Sequence, residues 1–102
     1  MRCLYIWIMS VVHDHRGVPI RLTGERMAHI LEHPEMSGME ASVSETLRRP
    51  ESVVRSRSDE EARLYYRFHA DTPVGAKFLC VVMKVRSEDA FVLTAYLTDN
   101  RS

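Results

Sequence analysis

The feature that most constrains this chain is the alternation in its C-terminal half. There, residues 63–69, 77–86 and 91–98 change side-chain character every second position and are parted by short polar connections. A period of two belongs to extended backbone, whose successive side chains leave on opposite faces. With residues 51–57 before them the segments make four strands, and connections this short favour an antiparallel meander. The alternation sorts Leu64, Tyr66 and Phe68 from Tyr65, Arg67 and His69. It likewise sorts Leu79, Val81, Met83 and Val85 from Cys80, Val82, Lys84 and Arg86, and Phe91, Leu93, Ala95 and Leu97 from Val92, Thr94, Tyr96 and Thr98. One sheet face is therefore expected to be apolar and covered by helices. The other is expected to gather Arg55, Arg57, Tyr65, Arg67, His69, Lys84, Thr94 and Tyr96.

The N-terminal half reads differently. Residues 3–12 are rich in β-branched and aromatic side chains, and His13-Asp14-His15-Arg16-Gly17 supplies turn formers before a second extended run at 18–22, so a hairpin is expected. Thr23 is placed to cap a helix whose first turn holds Glu25, where a negative charge suits the dipole. Met27, Ile30 and Leu31 keep helical spacing to about His33, and Pro34 stops the helix. Met39, Val43 and Leu47 repeat every four residues in a second helix that opens at Ser37 or Gly38 and closes at Arg48-Arg49-Pro50. The expected fold class is α+β: an N-terminal hairpin and two short helices packed on a four-stranded antiparallel sheet.

A chain of 102 residues suits one domain, residues 1–102, with a single core. Hydrophobic residues at 45% and charged residues at 27% exclude a disordered segment, so the chain should fold alone or as a small oligomer such as a homodimer. The formal net charge is zero, which removes any long-range basic field, and a phosphate ligand would have to be held locally. Twelve of the fourteen basic residues are Arg, and six of these fall between Arg48 and Arg67. Guanidinium suits bidentate phosphate contacts. Glu45, Glu51, Asp59, Glu60 and Glu61 share the region, so a mutually paired surface explains the run equally well. Cys3 and Cys80 stand far apart in apolar runs and read as reduced core thiols of a cytoplasmic protein. Arg2 and the apolar run at 3–12 have the length of a signal-peptide core, but no small-residue cleavage site follows. The run is too short to span a bilayer, and a buried strand is the expected reading.

For chemistry, the helix end is the richest segment. His29 and His33 are four residues apart, which would stack them on one helical face with Glu32 beside His29. His29-Ile30-Leu31-Glu32-His33 formally matches the inverted zinc-protease motif. Such a site needs a third protein ligand on a fold large enough to bury a peptide cleft, and proline directly after the second histidine leaves no helix to continue the motif, so no metal is expected. Metal-free RNA cleavage needs a base for the ribose 2′-OH, cations for the phosphate and an acid for the leaving oxygen. His29, His33 or Glu35 could serve as base or acid, Arg55, Arg57, Arg67 and Lys84 as phosphate holders, and Tyr65 or Tyr96 as stacking platform or proton donor.

Taken together, Arg21-Leu22-Thr23, His29-Ile30, His33-Pro34-Glu35, Leu64-Tyr65-Tyr66-Arg67, Val81-Val82-Met83-Lys84 and Thr94-Ala95-Tyr96-Leu97-Thr98 resemble a known pattern. It is that of the small nuclease-like domains of phages and bacterial polymorphic toxins grouped with barnase, EndoU, tRNA-cleaving colicins and RelE (the BECR group). The resemblance runs over residues 18–99. It implies a helical segment followed by a four-stranded antiparallel sheet, and metal-independent ribonuclease chemistry without a cofactor on the sheet's open face. Carried over by position, it implies His29, His33, Glu35, Lys84 and Tyr96 as catalytic residues. Tyr65, Arg67 and Thr94 would bind substrate, and the reading of the residues themselves adds Arg55 and Arg57 as substrate-binding cations. The implied partners are RNA, tRNA among them, and a neutralising antitoxin or immunity protein, with no membrane. One position departs from the pattern: Glu32 stands where members often carry an arginine. The other class of function open to this fold is a non-catalytic binding module that meets a protein through a sheet edge or face.

Overall fold

The computed structural model describes residues 10–87 and 89–100. The chain forms β1 (Ser10–His13), β2 (Pro19–Leu22), helix α1 (Gly24–Leu31), a 3₁₀ turn (Pro34–Met36) and helix α2 (Glu40–Arg48). Four strands follow: β3 (Ser52–Arg55), β4 (Ala62–Thr72), β5 (Gly75–Arg86) and β6 (Asp89–Thr98). The α+β class is as expected, and residues 3–9 of the expected first strand lie outside the described residues. No helix among the described residues is long and apolar enough to cross a membrane.

The expected four-stranded antiparallel sheet needs correction. The four C-terminal strands do pair as an antiparallel meander, but the sheet has six strands in the order β1-β2-β6-β5-β4-β3. The β1–β2 hairpin joins it through a parallel contact of Arg21 with Phe91. The reason lies in β2: alternate residues Ile20 and Leu22 are both buried, and burying them means lying beside β6 under the same helices.

A second correction concerns the faces. Tyr65 lies opposite Val81, which lies opposite Ala95, and all three are buried with Leu79, Met83 and Leu47 in the core between sheet and helices. Tyr65, Arg67 and His69 thus belong to the helix-covered side of β4. Leu64, Tyr66 and Phe68 share the other side with Cys80, Lys84 and Tyr96. Alternation gives the pairing of faces but not which one turns inward, and the core accepts Tyr65 because its hydroxyl donates to Asp14 Oδ2 at 2.9 Å. In β6 the register shifts between Val82 and Met83, so Val92 and Ala90 face the core in place of Leu93 and Phe91. That is the work of a β-bulge, one extra residue that inverts the alternation beyond it.

The helices follow their signals closely. Thr23 Oγ1 accepts from the Arg26 N–H at 3.0 Å and caps α1, which buries Ile30. Helix α2 opens at Glu40, after Met39, two residues later than Gly38. Gly38 takes φ +75°, a left-handed conformation that ends the preceding turn and redirects the chain. The helix buries Val43, Thr46 and Leu47 against β4 and β5. Each fully buried aliphatic side chain of this kind contributes about 1.5–3 kcal/mol.

Candidate functional site

Helix α1 ends at Leu31, two residues before the expected His33, and this changes the geometry of the histidines. His33 precedes proline, whose ring disfavours helical backbone in the residue before it, and it takes ψ 126°. His29 and His33 are therefore not stacked on one continuous helical face. The expected neighbour of His29 is in place: its Nδ1 lies 3.7 Å from Glu32 Oε1, with both side chains exposed. Thr23, Arg26, Ala28 and Glu25 complete a shallow depression around this pair. Arg26 has no carboxylate partner among the described residues.

Pro34 does not simply end the helix. It opens a 3₁₀ turn that buries Met36, holds Glu35 half-buried in its first turn and packs against β6. On β6, Thr94 and Tyr96 point to the open side of the sheet. The parallel pairing of β2 with β6 is confined to Arg21 and Phe91, so among the described residues Thr94–Thr98 has a strand neighbour only in β5. The turn of His33, Pro34 and Glu35 and the strand of Thr94 and Tyr96 are thus adjoining elements, although some sixty residues separate them in sequence.

Tyr96 is part of a small polar cluster. Tyr66, Cys80 and Tyr96 lie side by side on three neighbouring strands, and both phenols share hydrogen bonds with the buried Cys80 thiol. Burial, then the bond to Cys80, pushes the Tyr96 phenol well above its ordinary range, so at neutral pH it is a hydrogen-bond donor and not a base. The thiol is pushed up by the same burial and is inert as a nucleophile.

Other expected site residues have structural engagements. Lys84 Nζ lies 2.9 Å from Asp59 Oδ2, and that bond holds the Asp59 carboxyl below its usual range. Arg67 Nη1 donates to the Arg49 carbonyl at 2.8 Å and its Nε lies 3.7 Å from Glu45, so this guanidinium closes the C-terminal end of α2. Tyr65 is fully buried, and its phenol is pushed up to about 12 by burial and by the bond to Asp14. It is shielded from any substrate, a correction to its expected place on an open face. Arg55 and Arg57 are exposed with no carboxylate partner among the described residues. Arg55 lies directly opposite Arg63, whose guanidinium is taken up by the carbonyls of Glu60 and Ala62. The ten expected residues thus divide: His29, His33, Glu35, Thr94 and Tyr96 sit on elements around β6, Lys84 on the neighbouring β5, and the other four toward β3 and β4.

Sequence reasoning missed two polar networks. Asp14, read only as a turn former, has a fully buried carboxylate that accepts from the backbone N–H groups of Arg16 and Val18, at 2.8 and 2.9 Å, besides Tyr65. Burial alone would raise this carboxyl, but the bonds from Val18, Arg16 and Tyr65 outweigh it and hold it below the usual range. The signal available was an aspartate opening a glycine-containing turn, where its side chain can accept from the backbone two residues on. The second network joins the buried Thr46 hydroxyl, which donates to the Ser42 carbonyl at 2.8 Å, to His69 Nε2 at 3.2 Å.

Among the described residues, no group of three or more His, Cys, Asp and Glu side chains comes together as metal ligands. No protein-family model, no curated protein and no solved structure matches the chain.

Proposed function

We propose that this chain is a metal-independent ribonuclease-like domain of toxin or phage type, with its site at the junction of the 3₁₀ turn and β6. The observation that carries the reading is the packing of the Pro34–Met36 turn, which follows His33, on β6, the strand whose opposite, open face carries Thr94 and Tyr96. Two of the motifs in the resemblance, remote in sequence, thereby become neighbours. In this reading the imidazole of His33 takes the ribose 2′-OH proton as the 2′ oxygen bonds to phosphorus and the P–O5′ bond breaks, the leaving 5′ oxygen takes a proton from solvent water, and the half-buried Glu35 adds a negative charge to the turn. The edge at Thr94–Thr98, which among the described residues has a strand neighbour only in β5, offers backbone N–H groups to an RNA strand that passes the turn and rounds this edge, and Tyr96 meets that strand from the open side. Arg26, without a carboxylate partner among the described residues, lines the His29 depression and supplies a guanidinium there.

A second reading has its own observation. Tyr65, Arg67 and Lys84 are each satisfied by a partner within the chain, and His29 sits between Glu25 and Glu32, whose charges repel phosphate. This favours a non-catalytic module on the same fold. Incubation of the purified chain with total RNA and defined tRNA in EDTA, read on a sequencing gel, separates the two. Discrete cuts that vanish in His33→Ala and persist in Lys84→Ala support the ribonuclease at the 3₁₀ turn. RNA left intact by the wild-type chain overturns it in favour of the binding module.

A further inference from the structure

The face of α1 turned away from His29 borders a feature that neither reading of function uses. Gly24, Met27, Ala28 and Leu31 form an i, i+3, i+4, i+7 stripe along the helix. Together with Val12 and Leu22 below and Ala41 and Ser44 of α2 opposite, they line a groove of about 630 Å³. Its floor is continuous with the core, since Leu22 is buried and Val12, Met27 and Leu31 pack on the core while remaining half-open. The two walls are helices, and the residues at their rims are small. This is the surface against which a third helix packs, ridge into groove, with a few apolar side chains filling the space.

The charges at the rim specify the occupant further. Glu40 lines the groove from α2. Glu25 and Glu32 line the His29 depression and not the groove, but at i−3 and i+4 from Ala28 they stand on the outer side of the α1 ridge that separates the two. Glu25 and Glu40 have no cationic partner among the described residues, and Glu32 meets only His29. An apolar floor with an acidic rim complements a helix that is apolar on one side and basic along its margins. We infer that this groove receives an amphipathic helix of a partner protein, carrying Leu-like anchors on one face flanked by Lys or Arg. The inference rests on the groove alone and on neither reading of the chain's activity. If the domain does cleave RNA, a helix seated there lies against the same ridge, Thr23 and Ala28, that bounds the His29 depression.

The test uses a fluorescein-labelled synthetic peptide of about four helical turns. Its leucines are at i, i+3, i+4 and i+7 with flanking lysines, and binding is read by anisotropy beside a scrambled version and one in which glutamate replaces every lysine. Saturable binding of the lysine peptide alone is expected. Ala41→Arg, at an exposed position where the fold is not at stake, should weaken it at least about tenfold, and Glu40→Lys should weaken it while raising affinity for the glutamate peptide. Failure of the wild-type chain to bind, or equal binding of the scrambled or glutamate peptide, overturns the inference. So does sedimentation showing a dimer that Ala41→Arg converts to monomer, which makes a second copy of this chain the occupant.

Discussion

Asp14 is the residue on which the buried polar chemistry of the hairpin converges. One carboxylate satisfies two backbone N–H groups of its own turn and the hydroxyl of Tyr65, fifty-one residues away, so it ties the hairpin to β4. Removing the acceptor leaves the buried Tyr65 hydroxyl and two part-buried backbone N–H groups without it, and an unpaired buried donor is costlier than the bond itself. Asp14→Ala should destabilise the fold by about 2–4 kcal/mol, and Tyr65→Phe, which removes one donor and keeps the ring, by about 1–2 kcal/mol. Urea denaturation of both variants measures the difference. At His69 the sign of a pH effect follows from burial, which holds the imidazole below its ordinary value near Thr46, against smaller opposing fields from Glu45 and Glu51. The unfolded chain then takes up a proton at about pH 6.5 that the folded chain resists, so stability present above that pH is lost as the pH falls through it. Wild-type protein should be less stable at pH 5.5 than at 7.5 in the same denaturation experiment, and His69→Gln should narrow the gap.

At the scale of elements, local chemistry decided the helices and tertiary packing decided the faces of the strands. Thr23 was legible as a cap because a hydroxyl before an apolar helical repeat has one good use, and it caps α1. Thr23→Ala should therefore cost about 1 kcal/mol, read from the shift of the urea midpoint at constant slope. The end of α1 was less legible. Proline marks where a helix stops but does not say whether a new turn starts on it, and here Pro34 begins the 3₁₀ turn that carries Glu35. In β4 the period of two was plain, yet a tyrosine and a leucine are near equals as candidates for the core until Asp14, on a remote turn, supplies a partner for the phenol. The bulge opposite Val82 and Met83 left no mark in the sequence, because no glycine accompanies it, and it exchanged Leu93 and Phe91 for Val92 and Ala90 on the core side.

For the whole molecule, the hairpin and the four-stranded meander were each legible as local pairings. Their union into one six-stranded sheet was not, since it depends on a parallel contact between segments seventy residues apart, Arg21 beside Phe91. The same contact is braced by Arg21, which makes a two-pronged pair with Asp89 at 3.0 and 2.6 Å and lies over the Phe91 ring at 5.2 Å. That union leaves β6 next to the helical segment, and the expected site residues divide into a group around β6 and a group tied into the scaffold. Only partners across the sheet reveal the second, where Arg67 closes a helix and Lys84 meets Asp59. The most direct measurement is an amide chemical-shift titration of the wild-type chain with a short 2′-O-methyl RNA, which cannot be cleaved through its 2′ position. Shifts gathered at residues 33–36 and 94–98 are expected. Shifts gathered instead around Arg55 and Arg57, or none at all, would contradict a site at the junction of the 3₁₀ turn and β6.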